Sequence, residues 1–209
     1  MSGSKTVLNM EDLVVHYETE SGIVRAVNGV DIKLRQKEAL GLVGETGAGK
    51  TTAALAMLRL VPDPPGRICR GRIEIDGQDI LSMDEKKLEE IRGKEISMIF
   101  QDPMTALNPV FTGGEQIAES IRIHEGLSTR ESMARAKEML EIVGIPGTRA
   151  GDYPHQLSGG MKQRVVIAIA LACHARLLIA DEPTTALDVT RQAQVLELVK
   201  EYRENTIPR

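Results

Sequence analysis

Two short stretches carry residue types that can act on a phosphate. The first is Gly44-Glu45-Thr46-Gly47-Ala48-Gly49-Lys50-Thr51-Thr52. Glycine, four residues, then glycine, lysine and threonine is the full phosphate-loop pattern. The glycines let the backbone curl so that several N–H groups point inward at phosphate oxygens. A helix starting near Gly49 adds its positive end. Lys50 supplies a charge to the β- and γ-phosphates, and Thr51 offers a hydroxyl to Mg2+. The second stretch is Leu177-Leu178-Ile179-Ala180-Asp181-Glu182, an apolar run ending in two carboxylates. Buried carboxylates must be solvated or paired. Asp181 would support Mg2+, directly or through water. Glu182 would polarise an attacking water as general base. Alone, such a pair is more often the solvated start of a loop; beside a phosphate loop, the chemical reading is favoured.

These residues need a scaffold of strands and helices. Leu8, Met10, Leu13 and Val15 alternate as in one strand; Val24, Val27, Val30, Ile32 and Leu34 suggest a second and a third, with Gly22 and Gly29 at turns. Ala39–Val43 reads as a short buried strand feeding the phosphate loop, and Ala53–Leu60 as the helix after it. Pro62, Pro64, Pro65 and Gly66 break the chain. A strand at Arg72–Ile75, a helix at Asp84–Ile91 and a strand at Glu95–Phe100 follow. From Gly114 to Val143 apolar residues recur at helical spacing. Ser158–Cys173 reads as a half-buried helix, Leu177–Ala180 as a strand and Val189–Tyr202 as an amphipathic helix. The expected fold is α/β with a parallel central sheet, an antiparallel β-region at 1–38 and a helical insertion.

Composition narrows the classes. With 26 Lys+Arg against 30 Asp+Glu, the net charge of −4 gives no electrostatic case for nucleic acid or a polybasic anchor. Aromatics are 2 %, too few for a single-strand stacking surface. Cys69 and Cys173 lack metal-ligand spacing, which reads as an intracellular chain. His16, His124, His155 and His174 have no partners at metal spacing. No apolar run approaches a bilayer span.

Leu157-Ser158-Gly159-Gly160-Met161-Lys162-Gln163-Arg164 resembles the signature motif of ATP-binding cassette proteins. Ser158, Gly159 and Gly160 at a helix N-terminus also form an anion site on physical grounds, although Ser158 could be an ordinary N-cap. The resemblance implies a head-to-tail dimer with ATP and Mg2+ between phosphate loop and opposing signature. It implies that Tyr17 stacks on adenine, the alternative being a packing residue of the β-region. Gln101 is similar to the glutamine that senses the γ-phosphate, joins the catalytic and Mg2+ sites and contacts the membrane partner. Asp188 is similar to the residue of the loop that crosses the dimer interface. The implied division is an ATPase core at 39–103 and 161–209 and a helical subdomain at 104–160. The fold implied is a P-loop NTPase of this type with its last strands missing.

Three segments narrow the resemblance to oligopeptide, dipeptide and nickel importers: Gln101–Pro109, Tyr153–Leu157 and Asp181–Thr190. Such importers imply a second, homologous ATPase subunit (or a homodimer), transmembrane permease subunits, a substrate-binding protein acting indirectly, and a place on the cytoplasmic face of the membrane. Arg191 and His174-Ala175-Arg176 depart from the subfamily pattern. The family places a further strand ending in a histidine after the Asp188 helix; this sequence has neither, so slow hydrolysis is expected. The alternative is a truncated, nucleotide-binding but hydrolysis-deficient protein without transport activity. A soluble cassette of repair or translation is a third option, opposed by the importer-like Gln101 segment.

Overall fold

The computed structural model describes residues 5–183, together with Glu197 and Lys200. The chain divides into two compact units, residues 1–89 and 90–209, each described by itself.

The first unit is built on an antiparallel sheet. Strands β1 (Thr6–Thr19), β2 (Gly22–Arg35), β3 (Gly66–Ile75) and β4 (Gln78–Asp79) lie in the order β2-β1-β3-β4. The apolar alternation in β1 changes parity, from Leu8 and Met10 to Leu13 and Val15, yet all four are buried. A bulge explains this: pairing with both neighbours slips around Asp12, whose φ is +48°. The expected second and third strands are one strand, β2. Gly29 is not a turn; it sits opposite the Leu13/Val14 slip, where its φ of +74° makes a bulge that the strand runs through. Helix α1 (Lys50–Met57) buries Ala53, Ala54, Ala56 and Met57.

The expected strand at Ala39–Val43 does not form among the described residues. Leu40 and Leu42 are exposed and Val43 is 99 % exposed. An apolar parallel strand is stable only with neighbours that cover its edges and faces, and no described strand pairs with this segment. The short helix α2 (Glu85–Ile91) falls where the sequence places it.

In the second unit, β5 (Ile96–Ile99) pairs in parallel with β6 (Leu177–Ala180), Ile96 opposite Leu177 and Ile99 opposite Ala180. Between them run α3 (Pro103–Ala106), α4 (Gly113–Glu125), α5 (Thr129–Ile142) and α6 (Gly159–Leu171). The apolar faces of α4, α5 and α6 share one core with β5. Ile99, Ile117, Ile121, Ala136, Ile167 and Ala168 are fully buried in it. Helices α4 and α5 each start with a reciprocal cap, Thr112 with Glu115 and Ser128 with Glu131. The expected helix at Val189–Tyr202 lies outside the described residues except at Glu197 and Lys200, which are helical and 3.5 Å apart as an ion pair.

The caps make a testable contribution to stability. The Thr112 backbone N–H and hydroxyl hold the Glu115 carboxyl below the ordinary carboxylate range; the Ser128 hydroxyl and backbone N–H do the same for Glu131. A lowered folded pKa means that the contribution is complete above the unfolded value and is lost as pH falls through the folded one. Thr112→Ala should cost about 1 kcal/mol in urea unfolding at pH 7. Glu115→Gln should be less stable than the parent at pH 7 and should match it in acid.

Candidate functional site

In the first unit the phosphate loop runs into α1. Gly49 is the residue before the helix, with φ +83°, and Gly47 has the same φ. Space as well as φ requires glycine at 49. A Cβ there would lie 2.1 Å from the backbone oxygen of Ala26 on β2. The loop is therefore pressed onto β2 by backbone packing. Lys50 Nζ donates to the carbonyls of Gly44 (2.6 Å) and Glu45 (3.0 Å), which keeps the ammonium at the loop. Ala48 N–H closes a turn onto Glu45 O at 3.1 Å. Gly44, Glu45, Thr46, Gly47 and Ala48 are all exposed, Thr51 is exposed in the first turn of α1, and Thr52 is half-buried.

Tyr17 lies on the same sheet. It sits on β1 opposite Val24 of β2 and Gly66 of β3, so these three form one row across the sheet. A Cβ on Gly66 would be 2.7 Å from Tyr17 Cε1 and 2.7 Å from Val61 Cγ1. The absent side chain at 66 leaves the space that the aromatic ring uses. The sequence marks Gly66 only as a chain breaker; its strand position opposite Tyr17 requires the register to be known.

The second unit gathers the acidic residues. Asp181 follows β6 and is 8 % exposed; its N–H donates to Ile99 O at 3.0 Å, extending the β5–β6 ladder by one rung. Glu182 is exposed and has φ +47°, a left-handed conformation uncommon for a side-chain-bearing residue. Gln101, just beyond β5, donates from Nε2 to Glu182 Oε2 at 2.8 Å. Two residues singled out separately in the sequence are thus in direct contact.

The signature residues open α6. Ser158 is its N-cap residue; its carbonyl accepts from Met161 and Lys162 N–H, while its exposed hydroxyl makes no cap bond. Around Gly159 a Cβ would meet nothing within 4 Å, so the helix end is open to an anion. Arg164 fixes this end from behind: its guanidinium donates to Gly144 O at 2.6 Å, Val143 O at 3.3 Å and Gly160 O at 3.3 Å. Gln163 is fully buried, and its Nε2 donates to Pro183 O at 3.0 Å. Gln163 and Arg164 close the signature stretch in the sequence, which assigns neither a role. The available signal is a glutamine inside a helix stretch that is otherwise buried and apolar. Asp188 lies outside the described residues.

The donors suit Mg2+. Taken separately, each unit offers a hard oxygen donor of the kind Mg2+ takes: the Thr51 hydroxyl in the first turn of α1, and the buried carboxylate of Asp181 after β6. Among the described residues no group of three or more His, Cys, Asp or Glu side chains is placed to hold a metal ion. Burial, with Lys94 nearby, lowers the His124 pKa. Burial raises the Cys173 thiol pKa, partly offset by its contact with Ser120. His155 stacks on Tyr153 with ring centres 5.7 Å apart.

Comparison with known proteins agrees with this arrangement. A family described as "ABC transporter" matches residues 27–185. Over 200 residues the chain is 50 % identical to the oligopeptide transport ATP-binding protein OppD of Bacillus subtilis, covering 95 % of this chain and 56 % of that protein. It is 49 % identical to the dipeptide transport ATP-binding protein DppD of Escherichia coli, covering 95 % of this chain and 61 % of that one. The chain therefore spans about three-fifths of the length of these relatives. A solved dimeric ATP-binding cassette, MJ0796, in a post-hydrolysis state with ADP and Pi bound, superposes with a TM-score of 0.86 at 29 % identity, covering 94 % of this chain and 83 % of that one. With the phosphate loop, the acidic strand end and the open signature helix on one chain, the match over residues 27–185 places this protein in the ABC transporter family.

Proposed function

We propose that this chain is the ATP-binding and ATP-hydrolysing subunit of an importer for peptides or nickel. The observation that carries this reading is the phosphate loop, locked by Gly49 against β2 with Lys50 at its centre. Lys50 and the loop N–H groups bind the β- and γ-phosphates. Tyr17 stacks on adenine, the ring held over Gly66. Thr51, Gln101 and Asp181 hold Mg2+, which when bound neutralises phosphate charge. Glu182 accepts a proton from the attacking water, with Gln101 orienting its carboxylate. Ser158, Gly159 and Gly160 present an anion site to the nucleotide of a second cassette, and Asp188 crosses to that partner.

The partner is a second homologous ATPase subunit or a second copy of this chain. The Gln101 segment couples the pair to transmembrane permease subunits on the cytoplasmic face of the membrane, and a substrate-binding protein acts through those. No described helix is long and apolar enough to cross a membrane, in keeping with a peripheral role. A hydrolysis-deficient cassette is the less favoured reading, because Gln101 and Glu182 are both present and in contact.

In the assembled transporter, Glu182→Gln should retain ATP while turnover falls about 100-fold or more. Equal turnover in variant and parent would remove Glu182 as the base. Gly66→Ala, by displacing the Tyr17 ring, should weaken ATP binding about fivefold, as should Tyr17→Ala. Binding of inorganic tripolyphosphate, which has no base to stack, should be unchanged in both variants. Titration with the two ligands checks this; equal weakening of both would point to a damaged sheet.

A further inference from the structure

Gln163 is the anomaly of the second unit. It lies on α6, four residues after Gly159, and is fully buried. Its Nε2 donates to the carbonyl of Pro183, at 3.0 Å, the residue after Glu182. Its Oε1 is buried and has no hydrogen-bond partner among the described residues. A buried acceptor without a donor is a cost that the fold carries, so this amide is poorly explained by stability. What the amide does accomplish is mechanical. It ties the signature helix to the backbone that carries Glu182.

Glu182 is therefore held at two points by two glutamines. Gln101 grips its carboxylate and Gln163 grips the carbonyl of the next residue. Between these points its backbone is left-handed, at φ +47°. A side-chain-bearing residue stays there only when its surroundings hold it. The Gln163 bond lies directly beside the strained residue and on the chain leading out of it.

We propose that Gln163 is a positioning residue for Glu182, holding the loop of the catalytic carboxylate to the signature helix so that the two move as one body. The proposal rests on the reading of Glu182 as general base. Its consequence is that a displacement of the Ser158–Gly160 end of α6 reaches Glu182 through one buried amide.

The test is Gln163→Met in the assembled transporter. Methionine has similar length and volume and removes the orphan acceptor. Pro183 is half-buried, so its carbonyl can turn to water. Thermal stability and the KM for ATP should stay at parent values, while kcat falls about 10- to 100-fold from misplacement of the base. In a Glu182→Gln background, Gln163→Met should lower the residual rate no further. Parent-level kcat in Gln163→Met overturns the proposal. So does a joint loss of stability, KM and kcat, or an equal fall in both backgrounds, since either marks a merely structural residue. Parent-level turnover in Glu182→Gln alone would remove the base and this proposal with it. Loss of turnover there, with Gln163→Met unaffected, overturns the proposal alone.

Discussion

The parallel pairing of β5 with β6 is the constraint on which the second unit depends. Gln101 and Glu182 are 81 residues apart in sequence, yet their side chains are 2.8 Å apart. Nothing local could bring them together. Four ladder positions fix the ends of both strands at the same level, and the Asp181 N–H to Ile99 O bond carries the register to the first acidic residue. The residues that leave the strands on that edge must then emerge side by side. In open parallel sheets the carboxyl ends of the strands are where ligands bind, and both residues leave from such ends. The helices between the strands serve the same end. Ile99 of β5 and Ile167 of α6 are fully buried in one apolar cluster, and Leu178 of β6 packs against it.

The two anion-binding elements use the same physics in different degrees of confinement. Each is a helix start with unsatisfied N–H groups. At α1 the loop is fixed by backbone contact, since Gly49 lies flat against Ala26 with no room for a Cβ. At α6 Gly159 faces open space and the helix is fixed from behind, through Arg164 onto the Val143 and Gly144 carbonyls just past α5. A cation on the last carbonyls of one helix thereby sets the first turn of another. The first arrangement suits a ligand that is enclosed by its own loop. The second suits one that arrives on another surface.

Much of this was legible in sequence because it is encoded locally. The phosphate loop, the acid pair, the signature helix, α2, β6 and the helical character of 114–143 follow from motif spacing and apolar period, although the break there between α4 and α5 does not. Long-range features were not legible. Alternation could not show that β2 runs unbroken through Gly29, because a bulge and a turn use the same residue and the same sign of φ. Nor could it show the slip at Asp12, where the pattern simply changes parity. Ala39–Val43 has the composition of a buried strand but pairs with no described strand, so composition and pairing give different answers. Gly66 and Gln163 gain meaning only once register places them against Tyr17 and Pro183.

The energetics of the acidic edge follow from this division of labour. A left-handed Glu182 costs about 1 kcal/mol. The orphan Gln163 oxygen adds about 1 to 3 kcal/mol. Gln163 lies on α6, whose stretch 165–168 is buried in an apolar cluster worth about 1.5 to 3 kcal/mol per large side chain, so the core can hold the amide in place. The left-handed backbone of Glu182 and the buried packing of α4, α5 and α6 belong to one arrangement. A rigid helical core lets a single exposed carboxylate be held in a conformation that it would not choose alone.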